Sequence, residues 1–466
     1  MVDKAFCIHG HFYQPPREDP LTNIIPVEEG ASPFPNWNER IHQNCYRPNA
    51  EIGNFQKISF NIGATLWDWM IEEHADTAEL IVTQDRMAVA KFGVGSAIAQ
   101  AYNHTILPLA SRRDKETQIR WGIGDFRHRF GHEPMGMWLP ETAVDYETLQ
   151  VLADFGIAFT ILAPWQSETP DIDVTQPYRV ELDKGKSISV FFYQRDLSTQ
   201  ISFNPSSTVN ADEFLHNAVL PLYRPDQTDQ FLLVASDGEL YGHHQPYRER
   251  FLAHLFNGAM HDQPVNASFP ALWLKDHPPV HSVRIRENTS WSCHHGVGRW
   301  EGTCDCTPQS EWKAYLRQAL NQLADALDEI YFNEVSPLLP DGWAFRNEFI
   351  RVLTGETNLS ELVKEHAGTD IDAEDLKMLN ILMASQFERQ RMFTSCGWFF
   401  DDFDRIEPRN NVRYAAQGVW LANQAAGIDL TPIAMDAFRL VKSQRTGLRA
   451  DTIFSEHITR ALEFKI

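Results

Sequence analysis

Two patterns of hydrophobic and polar positions divide the chain. Through roughly the first 290 residues, short apolar segments alternate with stretches of helical spacing. Several apolar segments are hydrophobic on both faces, as parallel strands covered by helices are. The clearest predicted strands are AFCIHG, GMWLPE, AFTILAP, ISVFFYQ and FLLVASDGE. The alternation predicts a parallel barrel or an open parallel sheet.

The segments between these strands refine the prediction. Helical spacing is clear in TLWDWMIEEHADTAELI and in ETLQVLADFG. The first strand is not followed by GxGxxG, which argues against a dinucleotide-binding fold. The proline-rich PVEEGASPFPNWNERIHQNCYRPN is predicted to be a long irregular loop, and loops of that length are usually functional or mobile.

The chain from about residue 306 onward predicts helices and no strand. In TPQSEWKAYLRQALNQLADALDEIYFNEV, Pro308 is expected just inside a helix. One stripe of that helix is apolar and consists of Trp312, Leu316, Leu320, Leu323, Leu327 and Ile330. DAEDLKMLNILMASQFERQRMF and VRYAAQGVWLANQAAG have the same spacing. We therefore predict a catalytic barrel over residues 1–300 and a helical domain over residues 301–466.

Charge and composition limit the classes of partner and substrate that the protein can bind. The 466 residues include 63 acidic and 41 basic side chains, a net charge of −22, which argues against nucleic acid or an anionic membrane as partner. MVDKAFCIHGHFYQPP does not have the pattern of a signal peptide, and no run of 18 apolar residues is present. Six scattered cysteines favour a reducing cytoplasm. The expected substrate is therefore neutral. The 13 tryptophans are numerous enough to include stacking platforms for sugars, although most tryptophans fill cores.

Polar side chains follow the predicted strands at their ends. These groups are His9, His11 and Gln14; Glu141 beside Trp138; Trp165 and Gln166; Arg195 and Asp196; and Asp237, Glu239, Tyr241, His243 and His244. In a parallel barrel all these ends lie on one face, which carries the active site. Two carboxylates from different strands, Glu141 and Asp237, fit glycoside hydrolysis, in which one is nucleophile or base and the other is general acid.

Three segments carry a resemblance to a known family. HGHFYQP, MWLPET and SDGELYGHH resemble the signature segments of glycoside hydrolase family 57, whose members act in α-glucan metabolism, and the resemblance runs from residue 5 to about residue 300. It implies that Glu141 is the nucleophile, that Asp237 is the general acid, and that His11, with His9, contacts the sugar. It also implies an incomplete seven-stranded (β/α) barrel followed by a helical domain, and a retaining mechanism without metal or other cofactor.

The resemblance continues more weakly into the second half. FTSCGWFFDDFDRIE resembles a long branch of the family, which implies a helical domain that closes the substrate cleft. Trp398 would then stack on a sugar and Asp401 would bind its hydroxyls; the alternative is that Trp398 is core between domains. NTSWSCHHGVGRWEGTCDC resembles a loop of glucan-branching relatives, which adds Trp291 and Trp300 to the sugar-binding candidates.

The sequence thus predicts a retaining glycoside hydrolase or 4-α-glucanotransferase that acts on α-1,4-glucans or maltooligosaccharides. Beside the catalytic Glu141 and Asp237, the predicted substrate-binding residues are His9, His11, Gln14, Trp138, Trp165, Tyr241, His243, Trp291, Trp300, Trp398 and Asp401. Two alternatives stay open. One is a metal-dependent amidohydrolase-type enzyme that uses His9 and His11, with Asp237 as a metal ligand. The other is a non-catalytic glucan-binding protein.

One cluster falls outside these predictions. Cys293, His294, His295, Cys304 and Cys306 are residue types that bind zinc. Their spacing is that of no standard zinc finger. Free thiols with polar loop contacts are the alternative, and the sequence leaves both open.

Overall fold

The computed structural model describes residues 4–464, and these form two compact units. The first unit takes the described chain up to Gln14, with Val27–Gln100 and Arg129–Glu287. The second takes Pro15–Pro26, Ala101–His128 and the described chain from Asn288 onward. Three segments within the predicted barrel region, residues 1–300, therefore belong to the second unit, namely 15–26, 101–128 and 288–300.

The strands of the described chain all lie in the first unit. In chain order they are β1 (Lys4–Phe12), β2 (Ser59–Ile62), β3 (Ala99–Gln100), β4 (Met137–Trp138), β5 (Phe159–Leu162), β6 (Pro177–Glu181), β7 (Ser187–Phe192), β8 (Gln230–Asp237), β9 (Asn266–Ala267) and β10 (His281–Ser282). The five strands predicted from the sequence correspond to β1, β4, β5, β7 and β8, so their existence is confirmed, but β4 is shorter than predicted and ends at Trp138 rather than at Glu141.

Seven of these strands form a ring of parallel neighbours. β1 pairs with β2 on one side and with β8 on the other, β3 pairs with β4, and β5 pairs with β7. The remaining links are the bridges Phe60–Ala97 and Gly136–Phe159, and the hydrogen bond that Gln194 N donates to Leu233 O at 2.7 Å. β6 runs antiparallel to β7 outside the ring. Nearly every residue of β1 and β8 is buried, which explains their apolar runs.

The helices of the described residues surround the strands of the first unit and build most of the second. In chain order they are α1 (Trp37–Ile41), α2 (Arg47–Ile52), α3 (Ala64–Glu73), α4 (Ala75–Phe92), α5 (Arg112–Phe130), α6 (Tyr146–Asp154), α7 (Arg195–Phe203), α8 (Ala211–Phe214), α9 (Arg248–His254), α10 (Pro270–Asp276), α11 (Gly298–Glu301), α12 (Trp312–Val335), α13 (Gly342–Glu348), α14 (Ile350–Leu353), α15 (Leu359–Ala367), α16 (Ala373–Arg391), α17 (Ile406–Ala426), α18 (Thr431–Phe438) and α19 (Ala450–Phe464).

The second unit is organised around α17, which packs against α12, α16 and α19. The apolar stripe predicted for α12 is buried along its whole length, from Trp312 to Ile330. The helix begins at Trp312, so Pro308 lies before it rather than in its first turn. Across the part of the chain that the structure describes, no helix combines the length and the apolar character needed to span a membrane.

One prediction about the first unit is wrong. The proline-rich segment predicted as an irregular loop contains α1, a π-helical turn at His42–Tyr46, and α2. Asn36 caps α1 by accepting a hydrogen bond from Glu39 N at 3.0 Å, and Pro48 lies in the first turn of α2. Proline and asparagine therefore begin helices here instead of preventing them.

Candidate active site

The carboxyl end of β1 carries both predicted histidines. His9 and His11 are two residues apart on one strand, so their side chains lie on the same face of the sheet. In the ladder His9 is opposite Ser59, and His11 is opposite Asn61 on one side and Asp237 on the other. The parallel register therefore brings a histidine and the predicted general acid to the same level of the barrel.

The two imidazoles share one asparagine. His9 Nδ1 is 2.9 Å from Ser59 Oγ, and His9 Nε2 is 3.1 Å from Asn61 Oδ1. Asn61 Nδ2 lies 3.0 Å from His11 Nδ1 and donates to Gln100 Oε1 at 2.7 Å. Burial lowers the pKa of both histidines to about 3, and the neighbouring charge of His11 adds to the effect on His9. Both rings are therefore neutral. Asn61 Nδ2, at 3.0 Å, is nearer to His11 Nδ1 than Asn61 Oδ1, at 3.3 Å, which favours the tautomer that carries the His11 proton on Nε2.

Trp138 holds the histidines from one side. Its ring lies nearly parallel to His9 and His11, with centroids 4.8 Å and 5.0 Å away. The Trp138 side chain is fully buried. Its predicted contact with sugar is therefore corrected: the ring fixes the imidazole planes and does not itself offer an open stacking face.

Glu141 lies in a strained turn immediately after β4. The turn spans Pro140–Thr142, and both Glu141 (φ 58°) and Thr142 (φ 48°) adopt the left-handed conformation. Such conformations cost non-glycine residues about 1–3 kcal/mol each and cluster at functional sites. Thr142 Oγ1 donates to Gln166 Oε1 at 2.9 Å, and Gln166 Nε2 donates to Thr142 O at 2.8 Å. The buried Gln166 amide thus holds the backbone that carries the half-buried Glu141.

Asp237 is the last residue of β8. Its side chain keeps surface accessible to solvent, although protein atoms surround it closely. This burial, and then the negative charge of Glu141, raise the pKa of Asp237 to about 7. The two predicted catalytic carboxylates are therefore close enough for the charge of one to change the proton affinity of the other.

A third acid lies beside this pair. Glu239 is buried and accepts hydrogen bonds from Tyr46 Oη at 2.7 Å and from Tyr13 N at 3.1 Å. Burial raises its pKa to about 8, with the Tyr46 hydrogen bond opposing the shift and the charge of Asp237 adding to it. Glu239 therefore ties Tyr13 and Tyr46 to the loop that follows Asp237.

The remaining predicted residues of the first unit lie after the same strands. Gln14 is buried, and its side chain contacts the Tyr46 hydroxyl. Tyr241 is buried, and its hydroxyl is 2.9 Å from Ser236 Oγ, so it braces the β8 end and does not face an open cleft. Trp165 is 37% exposed.

His243 is half-buried and meets the ring of Trp37 edge-on, with centroids 6.0 Å apart. Burial, then the charges of His244 and Arg40, lower the pKa of His243 to about 4. Like His9 and His11, it is therefore a neutral imidazole at physiological pH. Among the predicted sugar-binding rings of the first unit, Trp165 and His243 keep accessible surface.

Four predicted sugar contacts belong to the second unit, and two must be corrected. Trp300 and Trp398 are fully buried. Trp398 Nε1 donates to Lys313 O at 3.2 Å, and the Arg317 guanidinium lies 3.9 Å from the centre of the indole. Both tryptophans are interior packing of this unit.

The other two keep accessible surface in the structure. Trp291 is half-buried. The Asp401 side chain is exposed, and its carbonyl accepts a hydrogen bond from Trp312 Nε1 at 3.1 Å. A sugar contact by either side chain stays a prediction.

Several residues of the first-unit site were not predicted from the sequence. Asn61, Gln100 and Tyr46 join the histidines and Glu239 but lie on segments that were not predicted as strand ends. The one available signal was Asn61, an amide within the buried SFNI segment that forms β2. Gln166 was noted, but its hydrogen bonds to Thr142 are visible only in three dimensions.

Comparisons with known proteins identify the family of the first unit and a second domain model in the C-terminal half. The model of glycosyl hydrolase family 57 matches residues 11–285, and a domain of unknown function, DUF3536, matches residues 309–463. An α-amylase of Pyrococcus abyssi is 22% identical over 292 residues, which cover 59% of this chain and 42% of that protein. A 4-α-glucanotransferase of Thermococcus litoralis is 22% identical over 253 residues, covering 52% and 36%. The chain thus spans less than half the length of these relatives.

Solved structures share the fold. The exo-type maltose-forming amylase of Pyrococcus sp. ST04 superposes with a TM-score of 0.74 at 13% identity, over 97% of this chain and 88% of that one. A branching enzyme of Thermococcus kodakaraensis superposes with a TM-score of 0.63 at 13% identity, over 98% and 94%. The predicted fold class, an incomplete (β/α)7 barrel followed by a helical domain, is confirmed. Because the family model matches more than half of the chain and includes His11, Glu141 and Asp237, the chain belongs to glycoside hydrolase family 57.

Proposed function

We propose that the protein is a retaining glycosidase or 4-α-glucanotransferase that acts on α-1,4-linked glucans. The observation that carries the proposal is the Asp237 carboxyl, whose pKa is about 7 beside the negative charge of Glu141. A carboxyl group that keeps its proton near neutral pH can donate it to a leaving oxygen. The names of the matched relatives, α-amylases and a glucanotransferase, support α-glucan as the substrate class.

The proposed reaction has two steps. Glu141 attacks the anomeric carbon and forms a glycosyl ester, while Asp237 transfers its proton to the glycosidic oxygen that leaves. Asp237, now ionised, then takes a proton from water or from an acceptor hydroxyl, whose oxygen attacks the same carbon and releases Glu141. Two inversions give net retention. Water as acceptor gives hydrolysis, and a sugar hydroxyl gives transfer.

Neutral His11 fits a role in sugar binding, whereas the predicted sugar contact of His9 is corrected, because His9 is fully buried and both of its ring nitrogens contact the protein. With its proton on Nε2, His11 can donate to a hydroxyl oxygen without carrying a positive charge into the site. The contacts of His9 argue against the amidohydrolase alternative, in which His9 would bind a metal ion. Both ring nitrogens of His9 already have partners in Ser59 and Asn61. The coupled pair of carboxylates favours catalysis over binding alone.

We further propose a reducing compartment, the cytoplasm, as the site of action, since all six cysteines lie among the described residues and none of them forms a disulfide.

The experiment is product analysis after incubation with maltooligosaccharides and amylose, with the anomer of the first product followed by NMR. We expect products with the α configuration. Products longer than the substrate indicate transfer, and glucose or maltose alone indicates hydrolysis. A first product of β configuration, or no product from any α-glucan, would overturn the proposal.

A further inference from the structure

Four side chains of the second unit converge on one point. They are Cys293, His295, Cys304 and Cys306, and one ligand atom of each lies within 4.8 Å of all the others. Cys293 Sγ is 3.5 Å from Cys304 Sγ and 3.8 Å from Cys306 Sγ. His295 Nδ1 is 3.2 Å from Cys304 Sγ and 3.5 Å from Cys306 Sγ. The neighbouring His294 is exposed and lies outside this group.

These distances match the edges of a coordination tetrahedron. Zinc bonds of ~2.3 Å to sulfur and ~2.0–2.1 Å to nitrogen, at tetrahedral angles, place two sulfurs ~3.8 Å apart and a sulfur and a nitrogen ~3.6 Å apart. The observed separations, 3.5 and 3.8 Å between sulfurs and 3.2 and 3.5 Å from nitrogen to sulfur, are close to both values. A disulfide would instead need two sulfurs at ~2.05 Å.

Two turns of the backbone present the ligands in pairs. The first turn carries Cys293 and is closed by Gly296 N, which donates to Cys293 O at 3.2 Å, and by Ser290 Oγ, which donates to Gly296 O at 2.7 Å. Gly296 has φ +77°, and a Cβ there would lie 2.2 Å from a backbone oxygen, so the turn requires glycine. In the second turn Thr307 N donates to Cys304 O at 2.9 Å.

The charges around the cluster suit a bound cation. Three thiolates and one divalent ion leave one negative charge. The buried Lys313 ammonium interacts electrostatically with the Cys293 and Cys304 sulfurs and donates to Thr307 Oγ1 at 2.8 Å. A positive group therefore lies beside the second turn, where it offsets the remaining negative charge of the cluster.

We propose that Cys293, His295, Cys304 and Cys306 bind one structural zinc ion. Thiolate and imidazole are the ligands that select zinc over harder cations. Four protein ligands complete a tetrahedral shell and leave no position for water or substrate, which is typical of structural sites. The ion joins the two turns across the segment that contains α11 and the buried Trp300. The proposal is independent of the proposed glycosidase function, because its readouts are metal content, spectra and stability.

The test begins with metal analysis of the full-length protein, purified without chelator from zinc-supplemented medium. We expect one zinc ion per chain. Replacement by Co²⁺ should give the thiolate charge-transfer band and the intense d–d bands of a tetrahedral site. Cys293→Ser and Cys306→Ser should lower the zinc content to near zero and reduce the melting temperature. Cys396→Ser changes a cysteine of the same unit that lies outside the cluster; it is the matched control and should keep its zinc.

Measurements on the wild-type chain keep the test decisive if the cluster variants do not fold. Thiol titration under native conditions should release three additional reactive thiols when a strong chelator removes the metal. The proposal is overturned if the wild-type protein holds no zinc even after incubation with the ion. A Cys293–Cys304 disulfide found by mass spectrometry in the protein as isolated would also refute it, as would equal loss of zinc in Cys396→Ser.

Discussion

Replacing Asp237 by asparagine tests the proposed acid directly. The structure raises the pKa of Asp237 from 3.8 to about 7, so at pH 6 most molecules carry the proton that the leaving oxygen needs. General acid catalysis contributes about 10²–10⁴-fold to rate. For maltooligosaccharides, whose leaving groups are poor, we expect kcat/KM of Asp237→Asn to fall by about that factor.

The pH dependence of kcat/KM is a second, independent test of the role of Asp237. Because kcat/KM reports the free enzyme, the wild-type value should fall about tenfold per pH unit above the Asp237 pKa of about 7. In Asp237→Asn this basic limb should disappear. A glycosyl fluoride needs little protonation, so its first step should be nearly as fast in the variant as in the wild type. The glycosyl ester should then accumulate, and azide should rescue Asp237→Ala with retained configuration.

Two further variants control this experiment. Asp262→Asn alters an exposed carboxylate in the turn before β9 and should leave turnover of both substrates unaffected. Glu141→Gln removes the proposed nucleophile and should abolish turnover of both substrates. The assignment is refuted if Asp237→Asn and Glu141→Gln lose activity equally on the fluoride, or if the wild-type basic limb persists in Asp237→Asn.

Gln166, Trp398 and the stability of the folded protein each give one further prediction. Gln166→Ala should lower kcat by on the order of 10²-fold, with KM less affected, because Glu141 is no longer held in place. Steady-state kinetics would measure this, with Gln200→Ala, at an exposed glutamine, as the control; an equal kcat in the two variants would contradict the prediction. Trp398→Ala should cost about 3–5 kcal/mol of unfolding free energy in denaturant titration, whereas a loss of glucan affinity at unchanged stability would contradict its burial. Asp237→Asn should raise the melting temperature at pH 8 but not at pH 4. The reason is that a carboxyl group with a raised pKa destabilises the folded state progressively as pH rises from about 4 to 7. A difference in melting temperature between variant and wild type that stays the same at both pH values would contradict the raised pKa.

The strands of the barrel were predictable because burial on both faces leaves a direct mark on the sequence. β1 and β8 are buried almost throughout and contain the apolar runs AFCI and FLLVA, so the polar groups that follow these runs could be located. β2 was not predicted, since it is four residues long and contains Asn61. The partners of Asn61, His9 and His11, are about 50 residues away along the chain. Such a contact depends on lateral strand pairing, which the linear pattern does not encode.

Glu141 shows a second limit of sequence-based prediction. MWLPET suggests a strand that ends on the carboxylate, but β4 ends at Trp138 and a left-handed turn follows. Local preference opposes this conformation at glutamate and threonine. The hydrogen bonds from Gln166, 24 residues beyond Thr142, help to maintain it. A strained site is therefore the place where local rules are expected to fail.

The tryptophans illustrate a third limit. Composition showed that aromatic rings were abundant, and the resemblance selected Trp300 and Trp398 as sugar contacts. Whether a ring faces solvent depends on what packs over it. Here the Arg317 guanidinium lies against the indole of Trp398, and Arg317 Nε donates to the Trp300 carbonyl at 2.9 Å. Likewise, the zinc-binding arrangement of Cys293 and Cys304 depends on two turns whose approach the spacing alone left open.

The coupling between the two carboxylates accounts for how one residue could serve first as acid and then as base. In the free enzyme the charge of Glu141 adds to burial in raising the pKa of Asp237. Once Glu141 is esterified in the proposed intermediate, its negative charge is gone and that contribution disappears, so the pKa of Asp237 falls after it has given up its proton. The ionised form is then favoured when a base is required. Release of Glu141 restores the charge and, with it, the proton affinity of Asp237 for the next cycle. Burial, the larger cause, persists throughout, so the carboxylate remains more basic than an exposed aspartate while it activates the acceptor.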